Sequence, residues 1–153
     1  MIHSQNTKKS VLLTPTLTTA AQALTSTVVD MLGYKYASID VQVSTGASSA
    51  GSHISVMSLV ESDDTNASNN TVVTTFVGGT ATGTGVGFVI PDNVTATGRT
   101  VTFNVDLRKR KRYLGIALTT PVAIKIAVLG QLSRAENVPV GATALGVVVI
   151  VNG

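Results

Sequence analysis

Hydrophobic and polar residues alternate on both sides of a short basic run, and the alternation changes phase across it. In 99–107, RTVTFNVDL, the apolar side chains occupy odd positions, whereas in 113–120, YLGIALTT, they occupy even positions. Successive side chains of a strand point to opposite faces, so one continuous strand cannot place both sets on the same face. The chain must therefore turn or bulge within 108–113. The basic run Arg108–Arg112 is then expected at an exposed edge or corner.

The same period of two recurs along the chain between short stretches rich in Gly, Ser, Asn and Pro. It is clear in 37–45, where Ile39, Val41 and Val43 alternate with polar residues. Residues 53–62 change phase internally, which predicts either a bulge or burial on both faces. No long segment has the helical period, so the crossover helices of a parallel α/β fold are missing. We predict an all-β fold, a jelly-roll-like antiparallel β-sandwich of about eight short strands.

A chain of 153 residues has the length of a single domain. Residues 1–10 are polar and are expected to form an extended N-terminal arm, with residues 11–153 forming one β-sandwich domain. Lys8 and Lys9 precede an apolar segment, but its proline and threonines favour an arm leading into a strand over a signal peptide. The apolar segment 145–151 predicts a strand that is central in a sheet or covered by another subunit.

The sequence lacks the residues that several kinds of catalytic and metal-binding site require. The chain has no Cys, which excludes thiolate metal sites and Cys nucleophiles. Its two histidines are His3, in the predicted arm, and His53, at a predicted strand start. Neither a catalytic triad nor a His-based metal cluster is therefore expected. We predict no enzymatic activity and no cofactor. No stretch reaches the roughly 20 apolar residues of a membrane span, so no membrane partner is expected either.

Two polar segments have a functional and a structural interpretation. Glu61, Asp63 and Asp64 offer oxygens that suit Ca²⁺, but their spacing matches no EF-hand loop, and SDDTN is typical of a turn. The glycine-rich segment 78–87 resembles a phosphate loop only in its glycines, since neither a Lys-Ser/Thr pair nor a helix pattern follows. We interpret the first as a turn and the second as a surface loop.

The basic character of the chain is confined to one run. The chain has 11 Lys and Arg against 8 Asp and Glu, and without Arg108–Arg112 its net charge would change from +3 to −2. A nucleic-acid surface would usually add aromatic or Gly-rich platforms, and only Tyr113 adjoins the run. Arg pairs bidentately with carboxylates, which favours contact with a protein. A solvated hairpin end is the alternative.

The sequence thus predicts a protein-binding site and an acidic counterpart. The predicted binding residues are Arg108, Lys109, Arg110, Lys111, Arg112, Tyr113, Lys8 and Lys9. The predicted counterpart, on a neighbouring copy of the chain, consists of Glu61, Asp63 and Asp64.

Four segments of the chain read SQNTKKSVLLTP, VVDMLGYKYASIDVQVST, LVESDDT and DLRKRKRYLGI. Together they resemble small capsid-associated proteins of tailed bacteriophages, which act as head cement or decoration proteins. The resemblance covers most of the chain from Ser4 to Ile116, and LGYKYASIDV and RKRYL carry most of it.

The resemblance implies a jelly-roll-like subunit, commonly trimeric, on the outer surface of the phage head. There it would clamp neighbouring subunits of the major capsid protein. The expected partners are therefore the major capsid protein and further copies of the chain, with nucleic acid unlikely as a partner. Two alternatives stay open. One is a receptor- or glycan-binding head-fibre or lectin-like module. Such a module stacks sugars on aromatic rings, and three Tyr and three Phe offer few of them. The other is a nucleic-acid-binding protein that uses Arg108–Arg112.

Overall fold

Ten β-strands make up nearly all regular structure in the computed structural model, which describes residues 7–19, 22–45, 54–79, 88–90 and 98–134. In chain order the strands are β1 (Thr7–Leu17), β2 (Gln22–Thr25), β3 (Val29–Asp30), β4 (Tyr36–Thr45), β5 (Val56–Ser62), β6 (Thr71–Gly79), β7 (Phe88–Val89), β8 (Arg99–Asp106), β9 (Tyr113–Thr120) and β10 (Ile124–Ser133). Two 3₁₀ turns, Ala67–Asn69 and Leu107–Lys109, lie between strands. The described residues contain no α-helix.

The strands form two sheets that pack face to face. One sheet has the order β1-β10-β4-β8, and the other has the order β2-β9-β5-β6-β7, with β3 also paired to β9. The pairings are antiparallel apart from the short contact of β6 with β7. β1 and β10 are neighbours, and the chain passes repeatedly from one sheet to the other, which is the double Greek-key arrangement of a jelly roll. The predicted jelly-roll-like β-sandwich is therefore confirmed.

The core lies between the two sheets and consists mainly of aliphatic side chains. The alternation predicted for β4 is confirmed, because Ile39, Val41 and Val43 are all buried. β8 and β9 also bury the predicted faces, through Phe103, Val105, Leu107, Leu114, Ile116 and Leu118. Both strands thus direct their apolar residues into one core although the odd–even phase differs between them.

β5 is buried on both of its faces. Met57 and Leu59 belong to the core between the sheets, while Ser58 and Val60, which point the other way, are also buried. The pairing of β5 with β9 is regular, whereas its pairing with β6 shifts register between Ser58 and Val60. The phase change in the sequence therefore corresponds to both of the outcomes predicted for it.

Two boundaries differ from those expected. β1 begins at Thr7, inside the predicted arm, because residues 7–10 pair with the end of β10. Residues 1–6 of that arm and the predicted strand 145–151 lie outside the described residues.

Residues 26–32, STVVDML, have a strand-like composition, but only the two residues of β3 form a strand there. Thr27 donates its backbone N–H and its hydroxyl to the carbonyl oxygen of Leu12, at 3.0 and 2.7 Å. These bonds tie the backbone at Thr27 to the opposite sheet, so the pairing with β9 is interrupted between β2 and β3.

A register shift in β1 places a large side chain over a glycine of β10. Leu12 lies between the paired residues Val11 and Leu13, where the register of β1 against β10 changes. Leu12 is almost fully buried, and a Cβ atom at Gly130 would lie 2.7 Å from its Cδ1 atom. The close approach therefore requires a residue without a side chain at this position.

Gly130→Ala should lower the free energy of unfolding by about 1–3 kcal/mol, because the added methyl overpacks the space that Leu12 fills. Urea denaturation measures this change. Leu12→Ala should relieve the overlap, so the double variant should lose less stability than the sum of the two single variants. Strictly additive losses would contradict the contact.

Candidate functional site

The basic corner, which we define as residues 108–112, lies where the chain crosses from one sheet to the other. β8 belongs to the first sheet and β9 to the second, and the 3₁₀ turn Leu107–Lys109 opens the connection between them. The backbone N–H of Arg110 closes this turn on the carbonyl of Leu107 at 3.1 Å. This is the turn that the change of phase predicted within 108–113.

Asp106 caps the turn and pairs with the first cation of the basic corner. Its carboxylate accepts the backbone N–H of Arg108 at 3.1 Å and the Nε–H at 3.0 Å, and it also pairs with the Nη2 group. Asp commonly accepts the N–H two residues later at such turns. The hydrogen bonds from Arg108 lower the pKa of Asp106 to about 2.

Glu61 of β5 holds the middle of the basic corner. Its carboxylate accepts the backbone N–H of Lys111 at 3.2 Å and lies 3.6 Å from Nη1 of Arg110. The Nζ group of Lys111 reaches Asp63 at 3.3 Å. The Glu61 side chain is 16% exposed and the Asp63 side chain 76%, so the contacts of Glu61 are the less screened of the two.

Arg112 forms a bidentate ion pair with Asp30 of β3. The two bonds join Nη2 to Oδ2 at 2.7 Å and Nε to Oδ1 at 3.1 Å, and the guanidinium lies 5.2 Å from the centre of the Tyr113 ring. The side-chain hydrogen bond from Arg112 is the main cause that lowers the pKa of Asp30, and the charge of Lys8 adds to it. Cation–π contact and ion pairing thus orient Arg112 together.

Four of the five cations of the basic corner therefore pair with carboxylates of their own chain. Glu61 and Asp63 lie at the basic corner of their own chain. Their contact with the basic run of a neighbouring copy stays a prediction. Lys109 is exposed and has no ion-pair partner among the described residues. The positive charge of the predicted docking run is thus largely neutralised by carboxylates of the same chain.

Asp64, the third predicted acidic residue, does not pair with the basic corner. Its carboxylate accepts the side-chain amide of Asn69 at 2.7 Å and the backbone N–H of Asn66 at 2.8 Å. The hydrogen bond from Asn69 is the main cause that lowers the pKa of Asp64. These bonds close the loop after β5 on itself, as the turn interpretation predicted.

The two lysines of β1 in the predicted binding set lie on different surfaces. Lys8 is half-buried near Asp30, at the end of the sandwich that carries the basic corner. Lys9 is exposed and lines a depression on the outer face of the first sheet. The predicted set of eight binding residues is therefore split between two places.

Sequence reasoning did not single out the outer face of the first sheet as a candidate surface. Val11 of β1 and Leu129 of β10 lie opposite each other and are exposed, although both are large and apolar. With Lys9 and Asp40 they line a depression of about 340 Å³. The signal was visible in 122–130, which is apolar at positions of both parities, so some of its apolar residues had to face outward.

The described residues do not bring three or more His, Cys, Asp or Glu side chains together in a way that could hold a metal ion. His3, His53 and most of the glycine-rich segment 78–87 lie outside the described residues. In the described part of the chain, no helix is both long enough and apolar enough for a membrane crossing.

Comparison with known proteins gives a similarity in fold and no family. No family model and no curated protein matches the chain. The crystal structure of dimeric latent PorU from Porphyromonas gingivalis is similar to 85% of this chain, with a TM-score of 0.45 and 8% sequence identity. The chain spans 13% of the length of that PorU chain. A similarity at this level supports no inference about family or function.

Glu61→Ala should destabilise the protein by about 1–2 kcal/mol, because the N–H of Lys111 and the guanidinium of Arg110 lose a poorly hydrated acceptor. Asp63→Ala is the matched control, since it removes an exposed carboxylate that pairs with the same corner. We expect it to cost less than about 0.5 kcal/mol. Chemical denaturation measures the free energy of unfolding of both variants. Equal losses would show that Glu61 stabilises the corner no more than Asp63 does.

Acid should weaken the fold through Asp30 and Asp106. The pKa of each is lower in the folded chain than in the unfolded chain, so the unfolded state binds more protons as the pH falls. The contribution of each carboxylate is present above about pH 4. That of Asp106 is lost as the pH falls towards about 2, and that of Asp30 is lost as the pH falls through its own lowered pKa. Melting temperatures measured across this range should fall less steeply for the Asp30→Asn/Asp106→Asn double variant, and an unchanged slope would contradict the assignment.

Proposed function

We propose that this chain is a structural cement or decoration protein that binds the outside of an assembled phage head and holds neighbouring major capsid subunits together. The resemblance to capsid-associated phage proteins names the partner. The proposed mode of binding rests on one observation, the exposed outer face of the first sheet. A jelly roll that acts through a sheet face needs no reactive groups, because binding to the assembled shell alone stabilises that shell.

The outer face of the first sheet has the properties of a protein-docking surface. It spans four adjacent strands, and many of its outward side chains are uncharged: Ser38, Gln42, Ser44, Thr100, Thr102, Asn104, Ala127 and Gln131. Lys9, Asp40 and Lys125 are charged residues of the same face. The exposed pair Val11 and Leu129 adds an apolar centre. Small side chains leave a flat surface that loses little conformational entropy on contact, whereas long charged side chains would lose more.

The size of this face favours binding by several copies. Four strands at a spacing of about 4.8 Å and eight residues at about 3.3 Å each give a face of about 500 Å². A stable interface usually covers about 800 Å² on each partner. One copy would therefore bind weakly, and a trimer that engages the shell at three places would bind much more tightly through effective concentration.

The two alternative functions have less support from the geometry. The buried ring of Phe103 contacts those of Phe76 and Phe88, and both of these pack against the core, which leaves little ring surface for stacking on a sugar. Tyr36 and Tyr113 lie beneath the guanidinium groups of Arg134 and Arg112. Nucleic-acid binding through the basic corner would compete with four intramolecular ion pairs.

Leu129→Lys should reduce binding to heads by about tenfold or more, because a charge would be buried in the contact. The monomer should remain folded, since Asp40 lies directly opposite position 129 across the β10–β4 pairing and offers the new ammonium a partner. Co-sedimentation of purified protein with heads that lack it measures the binding.

Val72→Lys is the matched control, because Val72, like Leu129, is an exposed large apolar residue but lies in the second sheet. It should bind heads as the unmodified protein does. Failure of the unmodified protein to bind heads at low salt would overturn the proposed function. Equal binding by both variants would overturn the assignment of the outer face.

A further inference from the structure

Among the described strands, β8 lies at the edge of the first sheet, with one side unpaired next to the basic corner. In the described part of the chain β8 pairs with β4 alone. The N–H of Leu107 donates to the carbonyl of Lys35, on the side of β4. Because bonding direction alternates along an antiparallel strand, Thr102 and Asn104 direct their backbone N–H and C=O groups away from β4. An extended segment could pair with these groups as an added strand.

A cavity of about 700 Å³ lies along the second half of this edge. It is lined by Phe76, Asn104, Val105, Asp106, Arg108, Lys109 and Arg110. The lining thus contains three cations and a single carboxylate. Lys109 has no ion-pair partner among the described residues, and the Arg108 side chain is 70% exposed despite its pair with Asp106. The surplus positive charge lies where the side chains of an added strand would extend.

We propose that the edge of β8 and the basic corner together bind an extended acidic peptide segment of a partner protein. The backbone of the segment would pair with Thr102 and Asn104, and a carboxylate side chain would contact Lys109, with Arg108 beside it. An unpaired strand edge favours an extended backbone, and the charge of Lys109, unpaired among the described residues, favours an acidic side chain. Phe76, which is partly buried against the core, offers an apolar contact at the same cavity.

This inference deepens the proposed function. It rests on that function only for the identification of the partner as a capsid subunit. The probe is a fluorescein-labelled peptide of four Thr-Glu repeats, and fluorescence anisotropy at low salt measures its affinity. Lys109→Gln should weaken binding by about threefold, the effect of one exposed charge pair. Lys125→Gln is the matched control, because Lys125 is an exposed cation of the same sheet on β10. It should leave the affinity unchanged.

Backbone methylation separates strand addition from simple charge attraction. One version of the peptide is N-methylated at every Thr and another at every Glu. Because only one of these sets of N–H groups would face β8, one version should lose binding and the other should keep it. Equal affinity of both versions would overturn the inference, as would no binding of the parent peptide or tighter binding of single-stranded oligothymidylate. Heads are absent from this assay, so its outcome is independent of the head-binding test.

Discussion

The structure depends on the crossing of the chain from β8 to β9. Leu107 and Leu114 lie at the two ends of this crossing and must both face the same core, although a strand would carry them to opposite faces. The carboxylate of Glu61 accepts the backbone N–H of Lys111, which fixes the crossing segment against the second sheet. Asp106 caps the turn at the other end. Together these two carboxylates set the point at which the alternation reverses.

The ion pairs of the crossing change the meaning of the basic run. In the sequence the run looks like a free cationic patch, whereas in the fold its charges face carboxylates from β3, from β8 and from the end of β5 and its following loop. Five positive charges in a short segment repel one another, and the carboxylates that pair with four of them offset that repulsion. Within the basic corner, Lys109 is the one cation without an ion-pair partner among the described residues. Charge-based binding at the corner would therefore centre on Lys109.

Two kinds of candidate binding surface result from this arrangement of a jelly roll. The outer face of the first sheet is broad, flat and weakly charged, while the edge of β8 is narrow and carries a charge at one end. A flat face of small side chains gives area with little specificity, and a strand edge gives direction through its backbone groups. Under the proposed function, the area of the outer face would support affinity and the edge of β8 would fix the orientation of the partner.

The sequence by itself determined the all-β class, the buried faces of β4, β8 and β9, the turn within 108–113 and the closed loop around Asp64. These features are local, because the side-chain period of a strand and the turn chemistry of Asp and Asn act over a few residues. Only the tertiary structure decided that Arg112 pairs with Asp30, which lies 82 residues away. It also decided that Thr27 breaks a strand to reach Leu12, and that Lys8 and Lys9 serve different surfaces. Those contacts depend on the order of strands in two sheets, which a local pattern of residues does not specify.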